Sequence, residues 1–267
     1  MALLETKKLT KYFGGLGAVK DVDFLINRGG IVSLIGPNGA GKTTFFNLIT
    51  GFYRPTKGKI LYKGEDVTNL KPYQLAERRI IRTFQTTKVF PGVTVLEGVI
   101  MGSHLTINSH ILGILSNTAA TRKEEEKVMQ KALDILNFLG IDYRKDILAK
   151  NLPYGEQRIL EIAVALAADP ELLLLDEPAT GMNPEETKRL MKLIYKIREK
   201  GITVLLVEHD MNVVMGISDS IVVLDSGEVI ARGLPKEIRE NKEVIKAYLG
   251  SSPAKLLFPP GIEISPT

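Results

Sequence analysis

The chain has 267 residues, 44% apolar and 25% charged, the composition of a soluble globular chain with room for one or two domains. It contains no cysteine, which excludes a disulfide framework, a thiolate metal site and a cysteine nucleophile. Thirty-five Lys and Arg against 31 Asp and Glu leave a formal charge of +4 with no concentrated basic stripe, so nucleic acid is not an expected partner.

The opening MALLETKKLTKYF lacks the basic start and apolar segment of a signal peptide, so a cytosolic chain is expected. Leu3 to Leu9, the alternating Val22, Phe24 and Ile26, and Ile60 with Tyr62 read as strands of an antiparallel patch. Gly30 to Ile35 is apolar without alternation, as in a strand buried on both faces of a mainly parallel sheet. A glycine-rich turn and a helix from about Lys42 follow it. Between about residues 87 and 157 the pattern turns helical, notably Lys123 to Leu139, and predicts an inserted helical subdomain. Within it Ser103 to Thr121 is uncharged and suits a helical hairpin or a loop. Leu172 to Leu175 and Thr203 to Val207 are further buried strands, separated by the helical Glu185 to Lys200. All of these aliphatic runs are far shorter than the ~20 residues that span a bilayer. Ile221 to Leu224 and Val229 to Ala231 flank a hairpin turn, and residues 251–267 read as a tail. Gly36 to Thr43, after the first buried strand, fits the phosphate-loop pattern G-x-x-x-x-G-K-[ST], so the expected fold is α/β: a P-loop NTPase core with a mainly parallel sheet, an N-terminal antiparallel β patch and the inserted helices.

Two segments carry chemistry. Gly36-Pro37-Asn38-Gly39-Ala40-Gly41-Lys42-Thr43 matches the phosphate-binding pattern G-x-x-x-x-G-K-[ST] between a buried strand and a helix. Glycines let the backbone N–H groups and the helix N-terminus face a polyphosphate, Lys42 supplies charge, and the Thr43 hydroxyl suits Mg²⁺. Leu172 to Pro178 is a buried strand ending in Asp176 and Glu177. Beside the loop in a parallel sheet, Asp176 is expected to reach Mg²⁺ and Glu177 to face an attacking water.

Further motifs follow in order. Phe13 precedes Gly14-Gly15, Arg82-Thr83-Phe84-Gln85 precedes the helical region, and Leu152-Pro153-Tyr154-Gly155-Glu156-Gln157 precedes an expected helix from Arg158 to Ala168. Ala179 to Pro184 follows Glu177, and His209 lies in Val207-Glu208-His209-Asp210. Together these resemble the nucleotide-binding subunit of ATP-binding cassette (ABC) transporters, from the start to about Gly250. The resemblance implies that Phe13 stacks on adenine and that Gly36 to Thr44, including Thr44, wraps the phosphates of ATP. It implies a catalytic set of Glu177, His209, Gln85 and Lys42, and Mg²⁺ held by Thr43, Gln85 and Asp176. Tyr154, Gly155 and Glu156, the signature segment, would complete the nucleotide site of a second subunit, and residues 179–184 would cross that interface.

Pro153 stands where the common signature carries serine. The Leu-Pro-Tyr-Gly form, with Arg-Thr-Phe-Gln and Gly-Met-Asn-Pro, is similar to the ATPase of high-affinity branched-chain amino acid importers. That resemblance implies membrane-spanning permease subunits, a second ATPase subunit in a head-to-tail heterodimer (or a homodimer of the chain alone), and a substrate-binding protein acting indirectly. It implies a peripheral place on the cytoplasmic face of the cell membrane, with residues 86–96 docking a permease. The expected organisation is an ATPase domain over 1–250, with core segments 1–86 and 158–250 and a helical subdomain at 87–157. A GTPase would need Asn-Lys-x-Asp, whereas Asn241-Lys242-Glu243-Val244 lacks the Asp. A metabolite kinase would have no use for the signature segment or the late histidine. A soluble ABC ATPase usually carries two cassettes or a coiled-coil insertion, and the signature form argues against a lipopolysaccharide exporter.

Overall fold

The computed structural model describes residues 2–83, 92–103 and 119–249. Strands β1 (Ala2–Phe13), β2 (Leu16–Asn27), β4 (Lys57–Tyr62) and β5 (Glu65–Asp66) form an antiparallel sheet in the order β2-β1-β4-β5. Its alternating sequence buries Val22, Phe24 and Ile26 on one face. The second sheet holds β3 (Ile31–Ile35), β6 (Ile80–Arg82), β7 (Leu172–Asp176), β8 (Thr203–Val207), β9 (Ser220–Asp225) and β10 (Glu228–Gly233). Their order is β10-β9-β3-β8-β7-β6, parallel except for the β9–β10 hairpin.

Every residue of β3, β7 and β8 is buried, and the period of two explains how. Leu172 and Leu174 of β7, with Leu205 and Val207 of β8, enter the core shared with β1, β2 and helix α1 (Lys42–Ile49). Leu173, Leu175, Val204 and Leu206 point the other way, into a helical core. A strand covered on both sides has no polar face to alternate with, so its sequence is a continuous apolar run.

The helical core is built from α3 (Val95–Gly102), α4 (Ala119–Leu139), α5 (Tyr154–Ala167) and α6 (Pro184–Glu199), following the short α2 (Pro72–Glu77). Helix α6 starts sharply because Asn183 Oδ1 accepts from the N–H groups of Glu185 and Glu186, both at 3.0 Å, while Glu186 returns a bond to the Asn183 N–H. It buries Leu190, Ile194 and Ile197, and Gly201 turns the chain after it. Helices α7 (Met211–Ile217), α8 (Pro235–Glu240) and α9 (Lys242–Leu249) close a third core against β9.

Helix α5 begins at Tyr154, four residues before the expected Arg158. Pro153 is its N-cap, with φ −54° and ψ 150°, so the signature residues are the first helical turn and the expected boundary between residues 157 and 158 falls inside one helix. The uncharged stretch within 103–121 lies outside the described residues from 104 to 118, as does the tail from 251 to 267.

Glycine sets the distance between α3 and α5. A Cβ on Gly102 would overlap the Val164 carbonyl oxygen, a backbone atom that cannot step aside, whereas one on Gly98 would meet only the Val93 side chain at 4.0 Å. Gly102→Ala should therefore cost about 1–3 kcal/mol through overpacking. Gly98→Ala should be neutral or stabilising by a few tenths of a kcal/mol or more, as an alanine in a helix interior. Urea unfolding of both variants measures this; equal stability of the two would contradict the close approach.

Candidate functional site

Parallel strands place the loops after β3, β7 and β8 at one edge of the sheet. The first, residues 36–41, lies against β2 and the β9–β10 turn. A Cβ on Gly36 would overlap the Leu224 carbonyl oxygen, and one on Gly41, at φ 100°, the Ala18 carbonyl oxygen. The Gly227 N–H donates to Ala40 O at 3.0 Å, and the Lys20 N–H to Gly227 O at 2.7 Å, which pins the loop to the turn. Among the described residues, no backbone carbonyl accepts from the N–H groups of Gly39, Gly41, Lys42 or Thr43. These are the orphan donors of a helix N-terminus, the arrangement that binds phosphate. Lys42 Nζ donates to Gly36 O at 2.7 Å and Pro37 O at 3.0 Å. Burial holds its pKa below the usual lysine range, with Glu177 acting the other way.

The loop forms one wall of a cavity of about 880 Å³. Tyr12, Phe13 and Leu16 line it together with Asn38 to Thr44, Glu177 and His209. Phe13, 43% exposed at the end of β1, lines the cavity, with Tyr53 in a T-shaped contact at 5.4 Å and Lys11 Nζ over its ring at 5.2 Å. Glu177 has φ 49°, a left-handed state that costs a non-glycine residue roughly 1–2 kcal/mol. It is held there by its N–H, which donates to Val207 O at 2.8 Å. The result aims its carboxylate at His209, with Nε2 to Oε1 at 2.6 Å.

Asp176, at the end of β7, is 5% exposed. Burial pushes its carboxyl above the usual range; Arg82 opposes this and Glu177 adds to it. Arg82 reaches Asp176 Oδ2 at 2.8 Å and Asn47 Oδ1 at 2.7 Å, while its guanidinium lies over the Phe46 and Phe52 rings. The oxygen donor set of the Thr43 hydroxyl and a buried carboxylate fits a hard divalent cation such as Mg²⁺, whose charge would favour the ionised carboxylate. Gln85, expected in this set, lies outside the described residues, as do Thr86 to Pro91 of the expected docking segment.

The ABC transporter family model matches residues 19–180, more than half of the chain. The chain belongs to the ABC transporter family. A second model, described as the branched-chain amino acid ATP-binding cassette transporter, matches residues 228–254 of the cassette. The cassette is 45% identical to the high-affinity branched-chain amino acid transport ATP-binding protein BraF of Pseudomonas aeruginosa, covering 94% of this chain and 98% of BraF. It is similar to a nucleotide-free ATP-binding cassette from an ABC transporter (TM-score 0.82, 33% identity, 94% and 100% covered). It is also similar to the dimeric cassette MJ0796 bound to ADP and Pi (TM-score 0.73, 27% identity, 87% and 98% covered). The cassette is an ATPase, built on the P-loop fold expected from its sequence.

Not all expected site residues of the cassette share the cavity. Gly36, Pro37 and Asp176 are absent from its lining, and so are the signature residues Tyr154, Gly155 and Glu156. The signature residues are tied to the loop after β7 and to helix α6 instead: a Cβ on Gly181 would meet the Tyr154 ring at 2.8 Å, and one on Gly155 would meet Glu186 Oε1 at 2.6 Å. The Tyr154 hydroxyl accepts from Arg158 at 2.6 Å, and Glu156 is held by Tyr143 at 2.6 Å and Arg144 at 2.9 Å.

Several residues around the site escaped the sequence reading. Tyr12, Leu16 and Ser226 line the cavity, but they come from two strand ends and a turn that carry no phosphate pattern. Tyr248 of α9 lies beside Gly36; burial pushes its hydroxyl pKa up, and the Gly36 backbone acts the other way. Arg82 was legible only as a motif letter, because its partners Asn47 and Asp176 are remote in sequence.

Removing Arg82 leaves Asp176 buried without its cation. Arg82→Ala should destabilise the cassette by roughly 3 kcal/mol at neutral pH. Because the folded Asp176 pKa is already raised by burial and would rise further, the cost should be small where Asp176 is protonated and should grow as pH rises through that folded value. Urea unfolding from about pH 4 to about pH 8, with Arg82→Ala/Asp176→Asn as the reference, checks the sign. A pH-independent cost in the single variant would contradict it.

Proposed function

We propose that the cassette is the ATP-hydrolysing subunit of an importer of branched-chain amino acids, seated peripherally on the cytoplasmic face of the cell membrane. The observation that carries the ATP chemistry is one cavity uniting the orphan N–H groups, Lys42 and the Glu177–His209 pair. The importer class is supported by the match at residues 228–254 and by the identity to BraF. The proposed organisation keeps residues 1–86 and 158–250 as the nucleotide-binding core and 87–157 as the helical subdomain, with 251–267 as a tail. Among the described residues no helix is long and apolar enough to cross a membrane; the proposed partners that span it are permease subunits.

Adenine stacks on Phe13 and the phosphates lie in the loop from Gly36 to Thr44. There the γ-phosphate oxygens replace Gly36 O and Pro37 O as acceptors for Lys42, a gain because the new hydrogen bonds join opposite charges. Glu177 polarises a water for in-line attack, and His209, held by Glu177, donates toward the γ-phosphate as charge builds there. Thr43, Asp176 and Gln85 would hold Mg²⁺, which supplies charge neutralisation at the β- and γ-phosphates.

A second cassette, of a different or the same sequence, pairs with it in a proposed head-to-tail arrangement; the pairing itself is supported by the dimeric state of MJ0796. Tyr154, Gly155 and Glu156 then face the partner's nucleotide. Pro153 offers neither hydroxyl nor N–H. The N–H groups of the first turn of α5, with the helix dipole behind them, serve the phosphate instead. Closure of the pair drives permease subunits, with a substrate-binding protein acting on their far side.

Two substitutions separate binding from hydrolysis. Lys42→Ala should weaken ATP binding by ~100-fold or more, since two charge-assisted hydrogen bonds are lost. Glu177→Gln should keep ATP affinity but lower kcat by about 10²–10⁴-fold, the usual worth of a general base. Equilibrium binding and single-turnover hydrolysis of the cassette assembled with its partners measure both. Wild-type turnover in Glu177→Gln would remove Glu177 from the catalytic role.

A further inference from the structure

Glu208 lies between β8 and α7 and is 2% exposed. Among the described residues no Lys or Arg forms an ion pair with it. Its carboxylate instead joins two loops. Oε1 accepts from the Ala179 N–H at 2.7 Å, in the loop that follows Glu177. Oε2 accepts from the His209 N–H at 3.0 Å and, at a longer 3.5 Å, from the Asp210 N–H. Burial pushes its pKa up and the three N–H groups act against that. A buried carboxylate without a cation is costly, and a neutral side chain would fill the same space without that cost. What a carboxylate adds is two acceptor oxygens, which can serve two backbone segments at once.

Both segments flank the reacting pair. Ala179 is two residues beyond Glu177, and His209 is the residue after Glu208. Glu177 and His209 also meet directly at 2.6 Å. Glu208 therefore closes a ring: the loop after β7 and the loop after β8 are joined once by side chains at the cavity and once by buried backbone bonds behind it.

We infer that Glu208 is a positioning residue for ATP hydrolysis, clamping the 179–184 loop to the backbone of His209 so that His209 and Glu177 stay in register. The inference rests on the proposed roles of Glu177 and His209. It adds a consequence: the 179–184 loop, which is proposed to face the second cassette, and His209 move as one body. Contact at the dimer interface is then felt at the cassette's own γ-phosphate site without passing through solvent-exposed side chains.

Glu208→Gln has nearly the same shape but one acceptor oxygen, and its amide N–H₂ would oppose a backbone N–H. It can hold one loop and not both. In the full chain assembled with its partners, kcat per ATP-binding site should fall about tenfold to a hundredfold, the usual effect of a misplaced reacting group. ATP affinity should stay within about twofold, since no phosphate-loop residue touches Glu208. In a His209→Ala background the same substitution should lower kcat no further. The imidazole NMR signals of His209 should move in Glu208→Gln and return toward the wild type in no variant that keeps only one acceptor. Unchanged kcat, or an equal loss of kcat with and without His209, would overturn the clamp. Referring rates to ATP-binding sites prevents loss of folded protein from imitating the effect. A wild-type assembly that fails to hydrolyse ATP would instead overturn the functional reading on which the clamp rests.

Discussion

The site depends on how closely two carbonyl oxygens, Leu224 O and Ala18 O, approach the loop from Gly36 to Gly41. No side chain fits at Gly36 or Gly41, so the backbone lies directly on β9 and β2 and its N–H groups turn outward into the cavity. The bond from Gly227 N–H to Ala40 O fastens the loop to the hairpin turn. Pre-organisation of this kind is what makes uncharged N–H groups effective toward a polyphosphate, because little reorganisation remains to be done on binding.

The same logic extends to the acidic end of the cavity. β7 and β8 are rigid because alternate residues enter two different cores. Their ends therefore hold Asp176, Glu177, Glu208 and His209 in fixed relation. Three of these carry a cost that the surrounding packing must sustain: a buried carboxyl beside Arg82 at Asp176, a left-handed backbone at Glu177, and a buried carboxylate at Glu208. Strain and buried charge are concentrated where the chemistry is, and the apolar strands supply the stiffness that tolerates them.

The fold was legible where periodicity and burial agree. The unbroken runs at 31–35, 172–175 and 203–207 identified doubly covered strands, and the alternation of Val22, Phe24 and Ile26 identified a half-buried one. The helix expected from Arg158 starts at Tyr154, after the N-cap Pro153, because a first turn that contains glycine gives a weak helical signal. The short β6 and the helices α2, α7, α8 and α9 gave too few residues for a period to emerge. At the site, the phosphate loop and the paired acids were readable as local patterns, and His209 through the family resemblance. Arg82, Tyr248 and Glu208 were not, since their meaning comes from partners many residues away: Asn47 and Asp176, Gly36, and Ala179.

The central claim is that this cavity hydrolyses ATP in order to move a solute through partner subunits. The most direct measurement places the cassette, its permease subunits and its second ATPase in proteoliposomes with the substrate-binding protein, and follows phosphate release and solute accumulation together. The account predicts that leucine, isoleucine or valine stimulates hydrolysis and accumulates only while ATP is present on the cassette side. Hydrolysis that proceeds at the same rate with no accumulation of any of these amino acids would contradict it.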